Sequence, residues 1–185
     1  MIDELLDDAK RRMGKSVEAT IQEFNTVRTG RASAALLDRI VVDYYGEKTP
    51  LNQLSTINVP EPRMLTIQPF DPSAAEGIER SILESDLGLT PSNDGKIIRL
   101  PIPTLTEERR KELVRVVRHL AEDGRISIRN VRRDVMSDLK ELAKDGDVGN
   151  DEEHRAEERL QNHTDANVAK IDELLTKKEA EILEV

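Results

Sequence analysis

The helical periodicity of this chain stops once and restarts once, and that constrains its fold more than any other feature. Ile2, Leu5, Leu6, Ala9, Met13, Val17, Ile21, Phe24 and Val27 recur in steps of three and four, one face of a helix running to about Arg28. The pattern breaks at Thr29-Gly30, where a glycine supplies a left-handed cap position. It returns at Pro103-Thr104-Leu105-Thr106-Glu107 and continues almost to the last residue. Between the two lies a stretch with strand and turn chemistry. The expected architecture is α+β with two domains: an elongated three-helix bundle (1–29 and 105–185) and a small β/α/β domain inserted between its first and second helices (30–104).

Within the insertion, Ile40 to Tyr45 has strand composition and Gly46 ends it; Gly46 to Thr49 has the character of a turn. Thr56–Val59 and Met64–Gln68 alternate as half-buried strands do, split by Pro60-Glu61-Pro62. A helix is expected from a Ser73/Glu76 capping box to about Ser85, with Ile78, Ile82 and Leu83 inward. Asn93-Asp94-Gly95 is a turn before the strand Ile97–Leu100. Pro101 and Pro103 then stiffen the return crossing. The second long helix is expected to start at a Thr104 or Thr106 cap. Its stripe is Leu113, Val117, Leu120, Ile128, Val131, Val135, Leu139 and Leu142. Gly124 also falls on this stripe, either loosening the helix or admitting a close neighbour. The third helix turns Ala156, Leu160, Thr164, Val168, Ile171, Leu174, Leu175 and Ile182 inward. The short Asp145–Asn150 link makes these two helices antiparallel neighbours.

Few residues carry recognisable catalytic or ligand chemistry. No cysteine is present, so disulfides and thiolate metal sites are excluded, in keeping with a reducing cytoplasm. No basic-then-apolar leader and no membrane-length apolar run occurs. Gly14-Lys15-Ser16 lacks the glycine a phosphate loop needs five residues earlier and lies mid-helix. His119, His154 and His163 lack metal-ligand spacing, and no nucleophile elbow or dinucleotide turn is present. No catalytic residue, metal ligand or cofactor is assigned, and an enzyme is not expected.

The positive signal is charge segregation. The net charge is -9. Yet between Arg109 and Arg133 nine basic residues face only Glu112, Glu122 and Asp123. At 100° per residue Arg118, Arg125 and Arg132 fall in line, flanked by Lys111 and Arg129, with Arg115 and Arg133 at the edge. The line is about 130° from the apolar stripe and about 20 Å long between Arg118 and Arg132, so these arginines are expected to point outward. One reading is a solvated face paired with acids of the third helix. The other is a phosphate-binding strip, since arginine suits bidentate phosphate contact and same-helix acids at i±4 are scarce. With four aromatic residues in the chain, RNA binding would rest on phosphate and shape, not base stacking. An RNA-binding or chaperone-like adaptor could use the same strip. A scaffold dimerising through its helices would need a second apolar stripe, where charges stand instead.

Several motifs in order resemble the bacterial ribosome recycling factor family. They are Arg28-Thr29-Gly30-Arg31-Ala32-Ser33, Val41-Val42-Asp43-Tyr44-Tyr45-Gly46, Ser85-Asp86-Leu87-Gly88-Leu89, Leu105-Thr106-Glu107-Glu108-Arg109-Arg110-Lys111, and Arg129-Asn130-Val131-Arg132-Arg133. The resemblance spans the chain and implies an L-shaped pair of domains. It implies a cytoplasmic, monomeric factor that binds the post-termination ribosome at the subunit interface, with its bundle against large-subunit ribosomal RNA. It also implies that elongation factor G with GTP then splits the subunits, so that messenger and transfer RNA leave. The factor itself would hold no nucleotide. The family's ribosome-contacting arginines match Arg28, Arg129, Arg132 and Arg133; Arg118 and Arg125 join them from the strip geometry. The family's hinge matches Gly30 and Arg31 on one crossing and Leu100 to Thr104 on the other, including Pro101 and Pro103.

Overall fold

Three amphipathic stripes on one chain can be buried only against one another, and that is how the long helices are arranged. The computed structural model describes residues 1–184. Helix α1 spans Ile2–Thr26, α4 Glu107–Asp145 and α5 Asn150–Leu183, and each packs on the other two. With Arg28 as its boundary, this helical unit comprises Met1–Arg28 and Glu107–Glu184. Its register can be read from side-chain pairs. Arg12 Nη2 donates to Asp134 Oδ2 at 2.8 Å and Ser16 lies 2.7 Å from Ser127, so α1 runs antiparallel to α4. Arg118 meets Glu179 and Arg125 meets Asp172, so α4 and α5 are antiparallel too. The 39 residues of α4 extend about 58 Å against about 38 Å for the 25 of α1. The register sets α1 against the part of α4 from about residue 118 onward, so the first turns of α4 outreach it.

The stripes hold, with local changes. In α1 Thr20 is buried and Ile21 is 37% exposed, reversing the expected order. The reason is Gly124 of α4, which is buried on the core face. A Cβ there would lie 2.3 Å from Thr20 Oγ1 and 2.8 Å from Ile171 Cδ1. The glycine is the contact point of all three helices, and only a small residue on α1 fits opposite it. Ala121 shares this core face, while Leu120 and Leu142 are half-buried. In α5 Asn167 is buried where Val168 is only half-buried. Its amide is satisfied by donating to the His163 carbonyl at 2.7 Å, as a buried polar group requires.

The second unit, Thr29–Thr106, has its own core, in which Leu37, Val42, Leu51, Leu65, Ile78 and Ile98 are all at or below 1% exposure. Strands β1 (Val41–Tyr44) and β2 (Glu47–Pro50) form a two-stranded ribbon. Tyr45 (φ 49°) and Gly46 (φ 83°) make its two-residue turn, in the left-handed backbone that such hairpins demand. The strand Glu47–Pro50 replaces the turn expected there. One helical turn, α2 (Leu51–Leu54), leads to a four-stranded antiparallel sheet. Its strands are β3 (Ser55–Glu61), β4 (Met64–Pro69), β5 (Ser92–Asn93) and β6 (Ile98–Pro101), in the order β3-β4-β6-β5. Helix α3 (Ala75–Glu84) buries Ile78 and Ile82, but Leu83 is 59% exposed. Its approach is capped by Asp71, which accepts from the Ser73 amide at 3.0 Å, and not by the expected Ser73/Glu76 pair.

Asp94 organises the β5–β6 turn. Its carboxylate accepts from the amides of Lys96 (3.0 Å) and Ile97 (2.9 Å) and from Arg99 Nη1 (2.7 Å). Backbone N–H bonds, then the Arg99 bond, hold its carboxyl well below the usual carboxylate range. The sign follows from linkage. A depressed folded value favours the folded state above the ordinary aspartate value of about 4 and loses that contribution as pH falls below it. Asp94→Ala is therefore expected to lower the melting temperature at pH 7, with the gap to the parent closing progressively below pH 4. A pH-independent gap in paired melts would show that the turn is held by something other than the carboxylate charge.

Candidate functional site

Strip geometry on α4 resolves into two rows once α5 is in place. Arg118, Arg125 and Arg132 do not point straight outward; they lean across the seam to α5. Arg118 Nε donates to Glu179 Oε1 at 2.6 Å. Arg125 Nε donates to Asp172 Oδ1 at 2.9 Å, with Nη2 2.7 Å from the same oxygen, and Nη1 donates to Glu122 Oε2 at 3.0 Å. Arg125 is also the most enclosed of these, with 18% of its side chain exposed. The bond to Glu179, then its charge, raises the Arg118 pKa. For Arg125, burial alone would lower it, but the bonds to Asp172 and Glu122 outweigh burial and the net direction is upward. Both cations are ion-paired, Arg125 in an enclosed position and Arg118 with 64% of its side chain still exposed. The acids that were scarce on α4 itself come from α5, which is the paired-face reading for these two positions.

The second row is different. Arg129, Arg132 and Arg133, with Asn130, Met136, Ser137 and Lys140, line a shallow open concavity on α4. Arg129 and Arg133 are exposed, and Arg132 is half-buried. Each guanidinium has one neighbour that fixes its direction. Arg129 Nη1 donates to Glu122 Oε1 at 3.2 Å, Arg132 Nη1 to Gln161 Oε1 at 2.9 Å and Arg133 Nη2 to Asn130 Oδ1 at 2.7 Å. Two of the three partners are neutral amides, which orient a cation without cancelling its charge. Four cations line this one concavity, and only Arg129 has a carboxylate, Glu122, as its hydrogen-bond partner among the three arginines, so the surface has the charge and donor chemistry that phosphate oxygens require.

Lys140 is the member that a count ending at Arg133 misses. It stands seven residues beyond Arg133, and continuing the heptad finds it. Arg28 is exposed, two residues past the end of α1, and does not line the concavity. The antiparallel register sets it level with about residue 116, roughly 20 Å along the bundle from Arg129.

The expected hinge residues also separate. Gly30 has φ 76°, a left-handed conformation, but α1 has already ended in extended backbone at Val27, so the glycine is not its cap. A Cβ on Gly30 would come within 3.2 Å of Leu105 Cγ and 3.8 Å of the Pro103 carbonyl, so the two crossings run side by side. Pro101 ends β6 opposite Met64 and belongs to the sheet. The β3–β4 turn ties both crossings. Pro62 O accepts from the Ala32 amide (2.7 Å), Arg63 O from the Ile102 amide (2.8 Å), and Arg63 Nη1 donates to Thr104 Oγ1 (2.9 Å). Arg31 and Thr104 lie on the crossings themselves, with Thr104 engaged by Arg63 rather than by α4.

Among the described residues there is no cluster of side chains able to hold a metal ion, and no helix is long and apolar enough to cross a membrane. His119 and His154 sit 3.6 Å from Asp123 and Glu157 on exposed helix faces.

Comparison with known proteins identifies the family. Residues 20–183 match the family described as ribosome recycling factor. The ribosome-recycling factor of Rubrobacter xylanophilus is 58% identical over 180 residues, 97% of each chain. That of Bacillus subtilis strain 168 is 54% identical over 185 residues, the whole of both. A solution structure of the ribosome recycling factor superposes with a TM-score of 0.73 at 42% identity, covering 100% of this chain and 98% of the other. A second solved structure, of models for the T. thermophilus ribosome recycling factor and the E. coli elongation factor G bound to the E. coli post-termination complex, gives 0.64 at 48% identity over 99% of each. Matched from end to end in sequence and in fold, the chain belongs to the ribosome recycling factor family.

Proposed function

We propose that this protein recycles ribosomes: it binds the post-termination ribosome and, with elongation factor G and GTP, splits it into subunits so that messenger and transfer RNA are released. The observation that carries the reading is the similarity over essentially the full length of ribosome-recycling factors, at 58% identity to that of Rubrobacter xylanophilus. The relative bound together with elongation factor G on a post-termination complex supports the choice of partner. In this reading the protein is a translation factor working in the cytoplasm as a monomer. The GTP is hydrolysed by its partner.

The α4 concavity would supply the ribosomal-RNA contact, through Arg129, Arg132, Arg133 and Lys140. Arg28 would add a contact further along the bundle. Arg118 and Arg125 carry charges already offset by Glu179 and Asp172, so their share would be smaller. Gly30, Arg31, Pro103 and Thr104 would form the hinge, with Thr104 steadied by its bond from Arg63 and the ties from Pro62 and Arg63 to Ala32 and Ile102 limiting movement on the far side of it.

The direct test mixes the protein with vacant ribosomes, elongation factor G and GTP and follows light scattering. A fall to the level of separated subunits is expected, requiring all three additions. Scattering unchanged by the protein would refute the reading. Binding without the partner should also weaken steeply with salt, because displaced counterions scale with neutralised phosphates. Alanine at Arg129 or Arg133 should each reduce that log–log slope by about one, whereas alanine at Arg118 or Arg125 should leave it nearly unchanged. An equal reduction in slope at all four positions would mean the ion pairs to α5 open on binding.

A further inference from the structure

The seam between α4 and α5 is a ladder whose third rung is built differently. Arginines on α4 step by seven through 118, 125 and 132, and acids on α5 step by seven in the opposite direction through 179, 172 and 165. The first two rungs are direct ion pairs, Arg118 to Glu179 and Arg125 to Asp172. Antiparallel register would pair Arg132 with Asp165 in the same way. Instead Gln161 is interposed. Its Oε1 accepts from Arg132 Nη1 at 2.9 Å, and its Nε2 donates to Asp165 Oδ1 at 2.8 Å.

An amide is the neutral side chain that can accept from a guanidinium at one end and donate to a carboxylate at the other. It fixes both partners and keeps their charges apart. A charge-assisted pair between Arg132 and Asp165 would instead neutralise the cation, as on the two rungs before it.

We propose that Gln161 is a positioning residue that insulates Arg132 from Asp165, so that the third arginine of the ladder is left without a direct carboxylate partner and aimed into the concavity to receive a ribosomal-RNA phosphate. The inference rests on the reading of that concavity as the RNA contact and deepens it. It identifies which arginine of an otherwise uniform row is released for binding, and why.

The experiment measures binding to vacant bacterial ribosomes as a function of salt for four proteins: the parent, Arg132→Ala, Gln161→Ala, and Gln161→Ala with Asp165→Asn. Removing the amide lets Asp165 pair with Arg132. Gln161→Ala should therefore bind about five- to tenfold more weakly and lose about one from the salt slope, approaching Arg132→Ala. In the double variant the competing charge is gone, and affinity should return to within about twofold of the parent with the slope restored. A role confined to holding the helices together would lower the melting temperature and would not be rescued by Asp165→Asn. Two results would overturn the insulation while leaving the RNA contact intact. One is Gln161→Ala binding like the parent while Arg132→Ala binds weakly. The other is a Gln161→Ala defect that persists in the double variant. An unaffected Arg132→Ala would instead overturn the reading of the concavity itself, and the inference with it.

Discussion

Alanine at Arg129, Arg132 and Arg133 together is expected to abolish most ribosome binding, by about a thousandfold at low salt, while leaving the fold intact. Each guanidinium has the geometry to make a charge-assisted hydrogen bond, worth about 1.5–3 kcal/mol, and 1.4 kcal/mol is a factor of ten. The three sites share one concavity, so their effects need not simply add. Stability should move little, because Arg129 and Arg133 make exposed bonds within α4, where such contacts stabilise little, and Arg132 adds only one half-buried bond to the neutral Gln161 amide of α5. Removing three like charges from one helix face also relieves repulsion. Binding by sedimentation and melting by circular dichroism check the two halves of the claim. A melting temperature that falls by about ten degrees or more, with binding retained, would mean that these arginines serve the bundle instead of a ligand.

Much of this was legible in the residues. The three stripes gave the helices and their neighbours, since a 3.6-residue period needs only local information. The arginine excess on α4 was equally visible. What the helix-by-helix view could not supply was partnership. At i±4 on α4 the sequence offers Glu122 to Arg118 and no acid to Arg125; in the fold Glu122 pairs with Arg125 and Arg129, and the acids that hold Arg118 and Arg125 across the seam, Glu179 and Asp172, lie 61 and 47 residues away in sequence. Arg118 is exposed as expected, with 64% of its side chain accessible, whereas Arg125 is drawn into the seam by its α5 partner and is only 18% exposed. The heptad steps on the two helices hold that information, but only once a register is assumed.

The smaller misses have similar causes. Glu47-Lys48-Thr49-Pro50 is polar and ends in proline, so nothing in its composition marks a strand. It pairs because the Tyr45-Gly46 turn folds it back on Val41–Tyr44. Gly30 has the left-handed backbone the sequence implies but not the helix-capping role, since α1 has already ended at Val27. Ile21 has the stronger apolar character, yet Thr20 is inside. That exchange is dictated by a glycine 104 residues further on, which single-helix periodicity cannot see.

That glycine yields the last prediction. In a helix interior Gly→Ala normally stabilises by about 1 kcal/mol, through the backbone freedom that alanine removes. Gly124→Ala is expected to do the opposite. The added methyl would sit 2.3 Å from Thr20 Oγ1, 2.8 Å from Ile171 Cδ1 and 3.4 Å from Thr20 Cβ. Neither neighbour yields easily. The Thr20 hydroxyl donates to the Ser16 carbonyl at 2.9 Å and would lose that bond by rotating. Ile171 is wholly buried. Overpacking of this kind costs about 1–3 kcal/mol, and the α1–α4 seam would have to widen against the Ser16–Ser127 and Arg12–Asp134 pairs beside it. A net loss of about 1–2 kcal/mol corresponds to a fall of about 5–10 °C in the melting of a unit this size. The sign should reverse once space is made. In a Thr20→Ala, Ile171→Val background, which removes both nearest atoms, adding Gly124→Ala should be neutral or stabilising, because the helix-propensity gain is then unopposed. If Gly124→Ala alone raises the melting temperature, the three helices do not meet as closely as this geometry requires, and the glycine marks only a weak point in α4.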